Sequence, residues 1–124
     1  MRLGKVLVVD DELEVRQVLR EFLSSRGYDV STASGGAEAV AIVGTIKPDL
    51  VLLDVAMPEM DGVETLKRIV AIEPALAVIM VTANADIGTT SRLLALGAVD
   101  YVPKPFDLDY LEQAIGIQLS AARG

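Results

Sequence analysis

Short apolar runs alternate with amphipathic segments along this chain, and the alternation repeats five times. Lys5–Val9 is a valine-rich run, the pattern of a strand buried on both faces. Val15, Val18, Leu19, Phe22 and Leu23 then recur at three- and four-residue spacing. That predicts a helix with those residues inward, and Gly27 supplies its stop. Residues 28–33 alternate Tyr28, Val30 and Thr32, a second strand of weaker hydrophobicity nearer an edge. In residues 34–46, Ser34 can cap a helix whose Ala37, Val40, Ala41 and Gly44 form a small-residue face able to approach a sheet closely. The Gly35–Gly36 pair lacks the lysine and spacing of a phosphate loop and fits capping and close packing instead.

Pro48 breaks that helix, and residues 49–54 form the most apolar strand so far, ending in Asp54. Residues 55–62 read as a loop by their proline, aspartate and glycine. Asp61 and Glu64 stand at capping-box spacing before a third helix, with Leu66, Ile69 and Val70 as its buried stripe. Residues 75–82 form a fourth strand closed by Thr82. Residues 83–97 make a poorer helix: Gly88 and two threonines weaken its start, and Gly97 ends it. A short fifth strand spans residues 99–103. Asp107 caps a last helix, Phe106 and Leu111 have the spacing of a hydrophobic staple, and Leu108, Leu111, Ile115 and Leu119 face inward.

Five consecutive β-α units with valine-rich strands predict an α/β fold. The expected architecture is a doubly wound, five-stranded parallel sheet, (βα)5, in a flavodoxin-like three-layer sandwich. The usual strand order for this element count is 2-1-3-4-5. Residues 1–124 read as one domain, with a core at about 5–119 and a tail at 120–124 that is either a terminus or the start of a linker.

Composition narrows the chemistry. The chain has no cysteine and no histidine, so thiolate and imidazole chemistry on its own residues are excluded. A net charge of −7 argues against direct nucleic-acid binding, and Arg16, Arg20 and Arg26 read as solvating a helix. No apolar run reaches membrane-spanning length and the N-terminus enters a strand pattern without signal-peptide architecture, which predicts a cytoplasmic protein.

In a parallel sheet all carboxyl ends of strands lie along one edge, where ligands bind. Asp10 and Asp11 end strand one, Asp54 ends strand three, Thr82 ends strand four and Lys104 follows strand five. With the order 2-1-3-4-5 all five converge. Crowded carboxylates without histidine or thiolate suit Mg²⁺, for which Mn²⁺ can substitute. Lys104 adds a point charge for a phosphoryl oxygen and Thr82 a hydroxyl. A carboxylate is itself a nucleophile toward phosphorus, so the arrangement suggests an aspartyl-phosphate site at Asp54.

The stretches VLVVDDE, PDLVLLDVAMPEMDG, VIMVTA and GAVDYVPKPF, in this order and spacing, resemble the receiver domain of bacterial two-component response regulators. The resemblance covers residues 5–119, and the 2-1-3-4-5 order is taken from this family rather than predicted independently. It implies a phosphorelay receiver whose phosphoacceptor, Asp54, takes a phosphoryl group from a phosphohistidine on a sensor histidine kinase or phosphotransfer protein. It implies that Asp11 binds Mg²⁺ directly and Asp10 through water, with Asp54 and the Ala56 carbonyl completing the site. Lys104 would pair with the phosphoryl group, Thr82 would swing toward it and Tyr101 would turn inward behind. The Lys104–Pro105 peptide would be cis. Pro58 and Gly62 would shape the loop over the metal, and Ala56 and Asn84 would tune hydrolysis. The domain would thus catalyse its own phosphorylation and dephosphorylation.

The fourth and fifth β-α units would switch, acting on a downstream protein or a fused output domain. They would also pair two copies, although Val99 stands where many DNA-binding members carry an aspartate. The weak start of the fourth helix marks it as the mobile element. Three rivals remain open at this stage. A small-molecule phosphatase or phosphotransferase of the haloacid-dehalogenase type would want Asp-x-Asp and a cap. A flavodoxin-like cofactor module would want a phosphate loop after strand one. A degenerate receiver serving as a binding scaffold would have lost the acidic and lysine positions.

Overall fold

The computed structural model describes residues 3–57, 61–83 and 87–123, so Pro58 and Asn84 of the expectations above lie outside the described residues. Strands and helices alternate as β1 Gly4–Val9, α1 Leu13–Ser25, β2 Tyr28–Ala33, α2 Gly36–Ile46, β3 Leu50–Asp54, α3 Gly62–Ile72, β4 Ala77–Thr82, α4 Ile87–Ala95, β5 Asp100–Pro103 and α5 Leu108–Arg123. All strand pairs are parallel and the order is β2-β1-β3-β4-β5. Among the described residues, no helix is long and apolar enough to cross a membrane.

The side-chain period of two along a strand divides the core into two layers. Val6, Val8, Leu50, Leu52 and Ile79 pack with Leu19 and Leu23 of α1 and Leu111, Ile115 and Leu119 of α5. Leu7, Val9, Val51, Leu53, Val78 and Met80 face the other way, onto Ala39 and Val43 of α2, Leu66 and Ile69 of α3 and Leu93 of α4. Burial on both faces explains the uninterrupted apolar runs of β1, β3 and β4. Each buried leucine of β3 contributes about 2 kcal/mol of hydrophobic stabilisation. Those three strands form the centre of the sheet, so their ends are held on rigid backbone.

Helix boundaries follow local chemistry. Gly27 and Gly97 take φ of 99° and 115° after α1 and α4, the left-handed region in which glycine is least strained. Asp61 caps α3 by accepting from the Glu64 N–H at 2.8 Å, and Asp107 Oδ1 accepts from the Asp109 N–H at 2.8 Å at the start of α5. Phe106 packs against the same core layer as Leu111.

Three local expectations need correction. Val18 is 49 % exposed rather than inward, because the buried stripe of α1 narrows to Leu19 and Leu23, with Val15 and Phe22 at its margins. Ser34 makes no side-chain cap; Gly35 is the N-cap of α2, and the Ser34 backbone N–H donates to Glu38 Oε1 at 2.7 Å. The buried face of α2 is Gly36, Ala39 and Val43, while Ala37, Ala41 and Gly44 are exposed and Val40 is half-buried. Small residues do meet the sheet there, but one helical step away from the face expected. The last helix itself runs on to Arg123.

Candidate functional site

Three central strands and the edge strand β5 deliver the polar residues to one edge. The last ladder pairs there are Val9 with Leu53, Asp54 with Val81, and Thr82 with Pro103. Asp10 lies immediately beyond β1, 3 % exposed, and Asp54 closes β3, 4 % exposed. Lys104 follows β5, its backbone N–H donating to the Thr82 carbonyl at 2.7 Å. Its ammonium then reaches both acids: Nζ is 3.1 Å from Asp54 Oδ2 and 3.4 Å from Asp10 Oδ2. Asp10 and Asp54, far apart in sequence, therefore flank one cation. The Lys104–Pro105 peptide is cis.

The environment sets the protonation behaviour. Burial pushes the Asp54 carboxyl above its ordinary value; the Lys104 hydrogen bond offsets part of this and the neighbouring Asp10 charge adds to it. Burial pulls the Lys104 ammonium down, but its bond to Asp54 and the charges of Asp10 and Asp54 outweigh that and hold it above its ordinary value. The remaining Asp54 oxygen, Oδ1, accepts from the Ala56 N–H at 3.2 Å, which orients the carboxylate. Thr82 is buried at the same edge, and Tyr101 is half-buried against the core layer of β4 and α3.

The acidic turn after β1 is more exposed. Asp10, Asp11 and Glu12 each place a carboxylate oxygen within 4.8 Å of the others. Glu12 was not singled out as a ligand from sequence, although its place two residues beyond Asp10 is a usable signal. The Asp10 Oδ1 atom accepts from the Glu12 N–H at 2.9 Å. On the far side of the site, the chain approaches β3 so closely at Gly62 that a Cβ there would overlap the Asp54 carbonyl oxygen and lie 2.6 Å from Val55 Cα. The Gly62 N–H donates to the Val55 carbonyl at 2.9 Å and pins that approach. A cavity of about 470 Å³ lined by Val43, Pro48, Leu76 and Leu119 lies at the opposite, amino edge and brings no nucleophile together with these acids.

Arg16 donates to the Asp10 carbonyl at 2.7 Å. Arg26 lies over the Phe22 ring and 3.5 Å from Glu112 Oε1.

A five-stranded parallel sheet with two buried aspartates and a lysine at its carboxyl edge defines a class of phosphoacceptor domains. The chain belongs to the response regulator receiver domain family, whose model matches residues 6–116. It is 40% identical over 111 residues to the sporulation initiation phosphotransferase F of Bacillus subtilis, covering 90% of both chains. It is 42% identical over 109 residues to the regulatory protein AtoC of Escherichia coli, covering 88% of this chain but 24% of that protein. The chain thus spans about a quarter of AtoC and nearly all of the Bacillus protein. Among solved structures, a CheY-like receiver domain protein from Methanospirillum hungatei superposes with a TM-score of 0.92 at 29% identity, covering 98% of this chain and 97% of that one. The receiver domain of NtrX from Brucella abortus superposes at 0.86 with 32% identity, covering 93% and 98%.

Proposed function

We propose that this receiver, a single domain with its core at about residues 5–119, accepts a phosphoryl group on Asp54 from a phosphohistidine of a sensor histidine kinase or phosphotransfer protein. The observation that carries this reading is the Lys104 ammonium held against buried Asp54 and Asp10 at one sheet edge. Residues 1–124 contain no histidine, so the donor imidazole lies outside them. An Asp54 carboxylate oxygen attacks phosphorus and forms the acyl phosphate. The phosphorus–nitrogen bond breaks and the imidazole nitrogen leaves with its electron pair. Lys104 then donates to a phosphoryl oxygen, and water later hydrolyses the acyl phosphate.

The donor set fits a hard divalent cation. Three carboxylates meet within 4.8 Å at the turn after β1, and every available donor is oxygen. Asp10 and Asp11 would hold Mg²⁺ or Mn²⁺, with Asp54 and the Ala56 carbonyl completing the protein's share. Such an ion neutralises charge on the phosphoryl oxygens.

Thr82 and Tyr101 are the proposed switch residues: new bonds from Thr82 and Lys104 to the phosphate must favour one state of the fourth and fifth β-α units by about a few kcal/mol. The proposed listeners are a downstream protein or a fused output domain, and a second copy docking on those same units. The deciding experiment is intact-mass analysis after incubation with acetyl phosphate, with and without Mg²⁺. One added phosphoryl group is expected, dependent on the metal and lost in Asp54→Ala. Undiminished phosphorylation of Asp54→Ala overturns the assignment.

A further inference from the structure

Asp10, Asp11, Glu12 and Glu14 put four carboxylates into five residues. Like charges this close repel, so the turn that carries them has to be held by other groups. The helix that follows does not hold it with a side-chain cap, since Glu12 at the N-cap of α1 makes no capping bond. A ring of three hydrogen bonds holds it instead. Asp10 Oδ1 accepts from the Glu12 N–H at 2.9 Å, and the Glu12 carbonyl accepts from the Arg16 N–H at 3.1 Å. The half-buried Arg16 closes the ring by donating from Nη1 to the Asp10 carbonyl at 2.7 Å. The Asp10 N–H is tied to the Ala33 carbonyl at 3.2 Å, so both peptide groups of Asp10 are anchored.

We propose that Arg16 is a positioning residue for the divalent cation: by gripping the Asp10 carbonyl it sets the turn in which Asp10 and Asp11 present their oxygens together. This rests on the reading of that turn as the Mg²⁺ site. The two cations beside these acids act in opposite directions. Lys104 sits on the carboxylate oxygens of Asp10 and Asp54 themselves and competes with an incoming ion. Arg16 bonds the backbone behind the carboxylates, where it relieves their mutual repulsion without covering Asp10 Oδ2. If Arg16 were only a positive charge, removing it would tighten Mg²⁺ binding, as removing the competing Lys104 ammonium should. If it positions the turn, removing it weakens binding, in the way that loss of an outer-shell partner weakens other metal sites.

The sign is read by calorimetric titration of the whole chain with Mg²⁺, alongside thermal unfolding without metal. Arg16→Ala is expected to bind Mg²⁺ about tenfold more weakly, Arg16→Lys to recover most of that loss, and Lys104→Met to bind more tightly. Arg16→Ala binding as tightly as the wild type, or more tightly, overturns the inference, including the case in which only its unfolding temperature falls. Saturable uptake by the wild type that is lost in Asp11→Asn would leave the site reading standing in that event; a wild type with no saturable uptake removes both. If Arg16→Ala does not fold, Arg16→Met, which keeps an apolar stem but donates no bond, takes its place with the same two outcomes.

Discussion

The two edges of the sheet use the same residue types to opposite ends. At the amino edge, the Lys5 N–H donates to Asp49 Oδ2 at 2.7 Å, the Asp49 N–H returns a bond to the Lys5 carbonyl at 2.8 Å, and Lys5 Nζ donates to the Ile46 carbonyl at 3.0 Å. There the carboxylate serves a backbone donor and the ammonium a helix-end carbonyl, both local tasks that complete the ends of β1 and α2. At the carboxyl edge, one ammonium serves two nearly buried aspartates while a further acid, Asp11, stands exposed beside them. Charge that no local capping task calls for is concentrated at this edge. Stability is spread over both edges, but the capacity for chemistry sits at one.

Lys104→Met cuts deepest into that contrast. It leaves Asp10 and Asp54 buried without their shared cation, and the expected loss is about 3 kcal/mol in denaturant unfolding at neutral pH. The raised pKa of Lys104 fixes the pH dependence. Its ammonium stabilises the fold fully below the ordinary lysine value, and that contribution is lost as pH rises through the raised folded value. The gap between wild type and variant should therefore close in strong alkali. A variant as stable as the wild type at neutral pH would mean that the ion pairs only balance their desolvation.

Gly62→Ala comes next. Its Cβ would meet the Asp54 carbonyl and the Val55 backbone, neither of which is the far end of a flexible side chain. The end of β3 must shift, at a cost of about 2 kcal/mol, and the Asp54 carboxylate shifts with it. Both unfolding stability and the rate of phosphorylation by acetyl phosphate should fall. Loss of stability with an unchanged rate would separate the loop from the site.

What the sequence revealed followed burial. β1, β3 and β4 are covered on both sides, so they stand out as unbroken apolar runs, and their last residues mark the site edge without any distance being known. Asp10, Asp54 and Thr82 were legible for that reason, and Lys104 because it follows the short fifth strand. The inward face of α2 was not, because almost every residue from 36 to 46 is apolar or small and the periodicity has no clear phase. Glu38 and Thr45, seven apart and both exposed, were the marks of the outer side, and Ala41 lies between them. Arg16 was missed for a different reason. An arginine on the first turn of an amphipathic helix reads as solvation, and only the fold shows it turned back onto the end of β1.

Asp54→Asn sharpens the comparison from the other side. The fold disfavours the ionised Asp54, as its raised pKa records. An acid of this kind costs no stability at low pH, and the cost appears as pH rises from the ordinary carboxylate value through the raised one. The neutral amide should therefore unfold at a higher temperature than the wild type at neutral pH, by less than Gly62→Ala lowers it. That advantage should vanish in acid. A variant less stable than the wild type at neutral pH would show that the bond to Lys104 outweighs the burial of Asp54.

The smallest effect belongs to the amino edge, and it tests whether the two edges are separable. Lys5→Met keeps most of the apolar stem and removes only the bond from Nζ to the Ile46 carbonyl. Its cost should be about 1 kcal/mol or less, since the backbone exchange between Lys5 and Asp49 does not involve the side chain of Lys5. Phosphorylation of Asp54 by acetyl phosphate should proceed at the wild-type rate, with the same dependence on Mg²⁺. Val6 to Val9 run from one edge to the other through a core packed on both sides, so a local loss at Lys5 has no loose element through which to reach Asp10. A changed rate in this variant would mean that β1 carries strain from edge to edge, and the division of labour between them would have to be abandoned.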